Sequence, residues 1–226
     1  SRRIVREIPS LSYFNHMILA VEEDRNGDLI WLDPTAETCA YGDLPSGDQD
    51  RWTLVLDLSA NNSSQDRESY RFLKSPAATA DRNLKRIKTE IRVAGDLSIK
   101  VSQEITLTGD FNTRVRNRLK HSDHQVFLRE FINFNDRAEL IRFDTSNLSE
   151  VSPQFKIWLE WNCADYVFAI GRQFVLNFPF ADLPHAELVG NDQRVNPVLL
   201  GEAATFEEDI SLSLAHQFQI ESFPDD

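Results

Sequence analysis

The chain has 226 residues, 41% of them hydrophobic and 27% charged. That is a globular composition, long enough for one large domain or two small ones, with something like 70% of the unfolded surface buried on folding. A net charge of −12 opposes phosphate backbones and anionic membrane surfaces, so nucleic acid is excluded as a partner. No run approaches the roughly 18 apolar residues of a membrane span, and no basic stretch leads into an apolar one. Neither a span nor a signal peptide is expected.

In chain order, Arg2, Arg3, Ile4, Val5, Arg6, Glu7 and Ile8 form an alternation entered midway, and the chain reads as a piece of a longer protein. Residues 14–21 and 28–35 are then two apolar, period-2 runs flanking a polar break, the pattern of a β-hairpin. His16 opens the first run and Asp33 closes the second. With residues 23–26 as a four-residue loop, Val21 lies opposite Asp28, Ile18 opposite Trp31, and His16 opposite Asp33. Opposed side chains share a face with Cβ atoms about 4.5–5.5 Å apart, within reach of an imidazole–carboxylate hydrogen bond. A tight Asn26-Gly27 turn would instead set Asp33 opposite Ala20 and leave His16 about 13 Å away along the strand. Both registers are open at this level. One makes a dyad; the other makes a strand-end histidine and a turn-starting aspartate.

Residues 36–50 form a loop rich in Gly, Pro and Asp, and residues 51–58 a third strand. The polar, aperiodic residues 59–66 mark a boundary, dividing the chain into 1–60, a linker at 61–80, and a second domain at 81–226. In that second part Ile87, Thr89, Ile91 and Val93 alternate with Lys88, Glu90 and Arg92. After a turn at 94–96, Leu97, Ile99, Val101, Ile105 and Leu107 alternate with polar residues. Such a hairpin has one wet face and one face seeking a partner. Asp110 can cap a helix carrying Phe111, Val115 and Leu119 at i, i+4 and i+8, and Ser122-Asp123 can cap another. Strands resume at 140–143 and 155–161, followed by runs at 168–180 and 206–218. The expected class is α+β, mostly antiparallel β, with one helical insertion.

Other chemistry is sparse. His121, Asp123 and His124 cluster at a helix junction, but a metal site needs three or four ligands held in place, so no metal is expected there; His185 and His216 stand alone. No G-x-S-x-G, phosphate-cradling glycine loop or H-E-x-x-H occurs, and no cofactor is expected. Two cysteines, Cys39 and Cys163, are too few to define a disulfide framework or a redox compartment. Cys39 lacks the helix start and neighbouring base that activate a thiol and reads as structural.

The hairpin resembles the transglutaminase-like superfamily, papain-related cysteine enzymes in which Cys, His and Asp follow one another in the chain. In that family the His opens one strand and the Asp ends the next within Asp-Pro-Thr, as His16 and Asp33-Pro34-Thr35 do here. Phe14-Asn15-His16-Met17-Ile18, Trp31-Leu32-Asp33-Pro34-Thr35, Tyr41-Gly42-Asp43-Leu44-Pro45 and Asp50-Arg51-Trp52-Thr53-Leu54-Val55 are similar to a bacterial branch of it. There a β-rich domain follows the core. More loosely, residues 83–108, 165–166, 172–176, 194–201 and 218–224 look like parts of that trailing domain.

The resemblance implies the C-terminal half of a papain-like transglutaminase core, then a sandwich-like β domain shortened at its end. It implies His16 as base and Asp33 as its orienter, in acyl transfer or amide hydrolysis through a thioester on a protein or peptide substrate. It also suggests a bacterial periplasm or cell envelope. No Cys precedes His16, so the chain alone is expected to be inactive. The competing reading is a catalytically dead envelope scaffold or protein-binding module.

Overall fold

In the computed structural model the described residues are 13–23, 28–56, 70–131, 138–164, 166–171, 173–176 and 203–220. Residues 2–8, the polar tract 59–66, His185 and the segment 194–201 lie outside them. The architecture is α+β and mostly antiparallel β. Among the described residues no helix is long and apolar enough to cross a membrane.

The first hairpin forms within the two expected runs but is shorter than them: β1 (Leu19–Glu22) pairs antiparallel with β2 (Leu29–Leu32), so His16 precedes the first strand and Asp33 follows the second rather than opening and closing them. Its register is neither of the two expected. Leu19 faces Leu32, Ala20 faces Trp31 and Glu22 faces Leu29, and Glu23 N–H donates to the Asp28 carbonyl at 3.0 Å. The pairing thus lies two residues from each alternative. A slip of two preserves the face on which every side chain lies, whereas a slip of one would invert it. Trp31 is buried beneath the hairpin, while Leu19 and Val21 of β1, and Met17 before it, are exposed.

The third strand, β3 (Trp52–Leu56), pairs antiparallel with β4 (Tyr70–Lys74). The latter falls inside the segment read as a linker, where Tyr70, Phe72 and Leu73 supply β-forming residues. The Phe14 ring lies 6.5 Å from that of Phe72, joining the two hairpins.

The rest of the chain is organised around one sheet. Its strands are β5 (Leu84–Val93), β6 (Ile99–Thr108), β7 (Glu139–Thr145) and β8 (Gln154–Cys163), completed by a last strand, Thr205–Leu214. A separate small hairpin is made by β9 (Val167–Ile170) and β10 (Gln173–Leu176), so the run read at 168–180 is folded back on itself at Gly171. The last strand is therefore β11, and the order across the sheet is β11-β5-β6-β8-β7. Alternation holds along all the central strands. Ile99, Val101, Ile105 and Leu107 of β6 and Phe155, Ile157, Leu159 and Trp161 of β8 are buried on one face. On the other face Lys156 reaches Glu104 at 2.6 Å, and Trp158 Nε1 donates to the same carboxylate at 3.3 Å. β11 runs parallel to β5, the one parallel pair among the described strands.

Two helices cover the apolar face, α1 (Gly109–His121) and α2 (His124–Phe131). Val115 and Leu119 of α1 and Phe127 of α2 pack on Ile105, Leu107, Phe155 and Ile157, as the i, i+4, i+8 spacing requires. The start of α1 differs from expectation: Thr108, not Asp110, is its N-cap residue, and Thr108 makes no side-chain cap. Gly109 takes φ +57°, and a Cβ there would stand 2.6 Å from the Arg82 carbonyl, so only glycine lets strand pass directly into helix. Asp110 is thereby released from capping and buried in the first turn, where its charge meets the positive helix end.

Candidate functional site

His16 and Asp33 come together. Nε2 of His16 lies 3.0 Å from Oδ2 of Asp33. Both residues lie outside the paired ladder, His16 before β1 and Asp33 directly after β2, so the contact is made by the chain flanking the hairpin. The other carboxylate oxygen of Asp33 is held locally: Oδ1 accepts from Thr35 N at 2.9 Å and from Thr35 Oγ1 at 2.7 Å. This is an Asx-type turn, in which a short side chain fixes its own backbone. The Asp-Pro-Thr sequence therefore aims one oxygen at the histidine and spends the other on the turn.

The electrostatics follow from these contacts. The Asp33 hydrogen bond, against a smaller desolvation cost, raises the His16 pKa above its ordinary value. Burial opposes the charge on Asp33, but the two Thr35 bonds and the His16 contact outweigh it and hold that carboxyl below its usual value. The Asp33 side chain is 5% exposed and that of His16 38%. One end of the pair is fixed in the protein and the other is open to a reactant.

A third group stands at the same nitrogen. Asp48 Oδ2 lies 3.8 Å from His16 Nε2, carried there by a 3-10 turn at Ser46–Asp48. Desolvation raises its pKa, and both the charge of Asp33 and a hydrogen-bonding contact with that carboxyl push the same way, while His16 and Arg51 pull it down. Sequence reasoning passed over Asp48, which sat in a stretch described only as a loop. The turn signal Pro45-Ser46-Gly47 was visible, but its place beside His16 was not. His16, Asp33 and Asp48 each offer an atom within 4.8 Å of the others, a spacing that can hold a metal ion. Two carboxylates around one imidazole suit any compact cation, the protonated ring included.

The 36–50 loop is anchored to α1. Thr38 Oγ1 donates to the Thr113 carbonyl at 3.1 Å, Ser46 N–H donates to Asp110 Oδ1 at 3.2 Å, and Lys120 pairs with Glu37. Asp110 is 2% exposed. Its second oxygen lies 2.6 Å from Arg114 Nε, an ion-pair contact without hydrogen-bond alignment.

The remaining candidates do not join the dyad. Cys39 is half-buried, and burial, then the charges of Asp43, Asp33 and Asp110, raise its thiol pKa above the ordinary value against a hydrogen bond to Thr113. That is the reverse of what activates a thiolate. Cys163 lies in the core beside Trp161 and Tyr166, and both thiols are free. Asp123 caps α2 by accepting from Gln125 N at 2.7 Å, and His124 packs edge-on against Phe143. His216 is exposed, and His185 lies outside the described residues. A shallow concavity lined by Arg92, Lys100, Glu139 and Asn162 sits at the far end of the sheet and does not include the dyad.

With Asp33 on Nε2, the second ring nitrogen of His16 has no hydrogen-bond partner among the described residues. A carboxylate-oriented imidazole with one free nitrogen can accept a proton from a neighbouring acid and return it. No family model, no curated protein and no solved structure matches this chain.

Proposed function

We propose that His16 and Asp33 are the base and orienting carboxylate of a transglutaminase-like cysteine enzyme, and that residues 1–60 belong to the C-terminal half of its papain-like core. The observation that supports this most directly is the 3.0 Å contact from His16 Nε2 to an Asp33 carboxylate whose other oxygen is pinned by Thr35. In this reading Nδ1 of His16 takes the proton of a thiol, and the thiolate attacks an acyl carbon of a protein or peptide. The imidazolium then protonates the departing amine, leaving a thioester for water or a second amine. Asp33 fixes the tautomer and favours the charged ring.

The nucleophile is not among this chain's cysteines, since Cys39 and Cys163 both follow His16 and Cys39 is disfavoured as a thiolate. The proposal assigns it to sequence joined to this chain on the N-terminal side. The test is alkylation by iodoacetamide as a function of pH in the protein carrying that sequence. A thiolate titrating well below about 8.5 is expected, with its pKa rising in His16→Ala. Reactivity unchanged by the substitution, or Ser or Ala in place of the thiol, overturns the enzyme in favour of a non-catalytic binding or scaffold protein. The exposed apolar side chains of Leu19 and Val21 on β1 and of Met17 just before it are the observation that favours this second reading.

A further inference from the structure

We propose that Asp48 is a second positioning carboxylate for His16: with Asp33 it encloses Nε2 of the imidazole and leaves Nδ1 as the nitrogen that exchanges a proton with the reacting group. The inference rests on the reading of His16 as a base and adds a residue to it.

Three observations carry it. The first is proximity: Asp33 and Asp48 place carboxylate oxygens 3.0 and 3.8 Å from one ring nitrogen. Two carboxylates so close together repel unless a cation or a proton lies between them, and the imidazolium N–H is the group that both of them face.

The second observation is fixation. Asp48 is not a loop residue that happens to lean inward, because its backbone is held at every step of the turn. Asp48 N–H donates to the Pro45 carbonyl at 2.9 Å, and its carbonyl accepts from Ser75 Oγ. Arg51 Nε donates to the Gly47 carbonyl at 3.0 Å, and Ser46 N–H donates to Asp110 Oδ1 at 3.2 Å. Gln49, next in the chain, is buried and bonded at both ends of its amide, to the Leu44 carbonyl at 2.6 Å and to Ala78 N at 3.1 Å. A side chain is held to productive geometry by support of this kind.

The third observation is the charge balance around the trio. Among the described residues, the charged groups acting on His16 are Asp33 and Asp48. Arg51 acts on Asp48 as well, but its guanidinium is bound to the Gly47 carbonyl. The ring is thus the cation within reach of both carboxylates, while Asp48 also meets the Asp33 carboxylate, a contact that favours the protonated form of Asp48.

The test is the titration of His16 itself, followed by ring carbon–proton correlation spectra of this chain with EDTA present. Five histidines are present, and the His16 signal is the one lost in His16→Ala. The midpoint is expected to fall in Asp48→Asn, to fall in Asp33→Asn, and to fall further in the double variant. Asp48→Glu, which keeps the charge, should return it toward the wild-type value. A wild-type midpoint in Asp48→Asn overturns the proposal. A midpoint displaced equally in Asp48→Asn and Asp48→Glu also overturns it, because the turn rather than the charge would then be responsible. In samples without EDTA, a shift of the His16 signal with one equivalent of zinc in the wild type, but not in Asp48→Asn, would replace the positioning role with a metal site. No thiol enters these measurements. A negative alkylation result would therefore strike the enzyme reading alone, and an unmoved His16 midpoint would strike Asp48 alone.

Discussion

At the scale of the residue, the site is a hydrogen-bond relay from Thr35 through Asp33 to His16, and its pH behaviour follows from the direction of each shift. His16 has a raised pKa in the folded state, so its stabilising contribution is fully present below the unfolded value of about 6.5 and is lost as pH rises through the folded value. Asp33 has a lowered one, so its contribution is present above about 3.9 and is lost as pH falls through the depressed folded value. The pair therefore contributes most between about pH 4 and 6.5. Urea unfolding of wild type and His16→Ala at pH 5.5 and pH 8.5 should show the larger difference at pH 5.5. With the ring this exposed, that difference should be about 1 kcal/mol or less. A difference that grows with pH would contradict the assignment of the charged pair. In the sequence the dyad and a turn-starting aspartate before proline were alternatives, and the Thr35 bonds show that Asp33 does both. Asp48 was not readable, because no local rule connects a turn at residues 46–48 to a histidine thirty residues earlier.

Among the elements, α1 carries more than its apolar stripe. Arg116 is 1% exposed and lies against the Phe155 ring, 4.5 Å from its centroid. Its guanidinium donates to Asn112 Oδ1 at 2.7 Å, the Asn147 carbonyl at 2.9 Å and Ser152 Oγ at 3.2 Å. The loop between β7 and β8 is thereby pinned to the helix by side-chain bonds that replace regular structure. Arg116→Ala removes a buried cation together with its partners' donors and should cost about 3 kcal/mol or more, measured as a lowered denaturation midpoint with unchanged slope. Arg116→Lys should recover only part of this, since a single ammonium cannot span the same acceptors. A loss under about 1 kcal/mol in Arg116→Ala would mean that the loop is held by other contacts. The helix itself was legible from Val115 and Leu119 at spacing four. The role of Arg116 was not, since at i+5 from Phe111 it reads from sequence as part of a solvated face.

Over the whole molecule, the loop that carries Asp48 is bolted to the helix that covers the sheet. Asp110, Thr113 and Lys120 of α1 reach Ser46, Thr38 and Glu37. The exposed Lys120 pair is of little energetic consequence, whereas the buried Asp110 bond is substantial. Asp110→Ala leaves the Ser46 N–H unpaired and should cost about 1–3 kcal/mol, lowering Tm by several degrees at about 2–4 °C per kcal/mol for a chain of this size. It should also move the His16 titration, although Asp110 does not touch His16. A lowered Tm with the His16 midpoint unmoved would show that the sheet and the site are independent.

What the sequence determined by itself is what alternation and spacing encode over short range: the hairpin of β1 and β2, the long strands β5, β6 and β8 with one wet face and one dry face, and the stripe on α1. These depend on which side of a strand or helix a residue occupies, and that parity is a property of the local chain. The tertiary structure alone decided the rest. It chose a register between the two that turn chemistry offered, and it brought His16 to Asp33 from outside the paired residues. It set β11 parallel to β5, made a strand of residues 70–74, and brought Asp48 to Nε2 of His16 through a turn fixed from α1. Each of these joins residues distant in sequence, and their pairing is settled by the burial and hydrogen-bond satisfaction of the folded whole, which no short window of sequence contains.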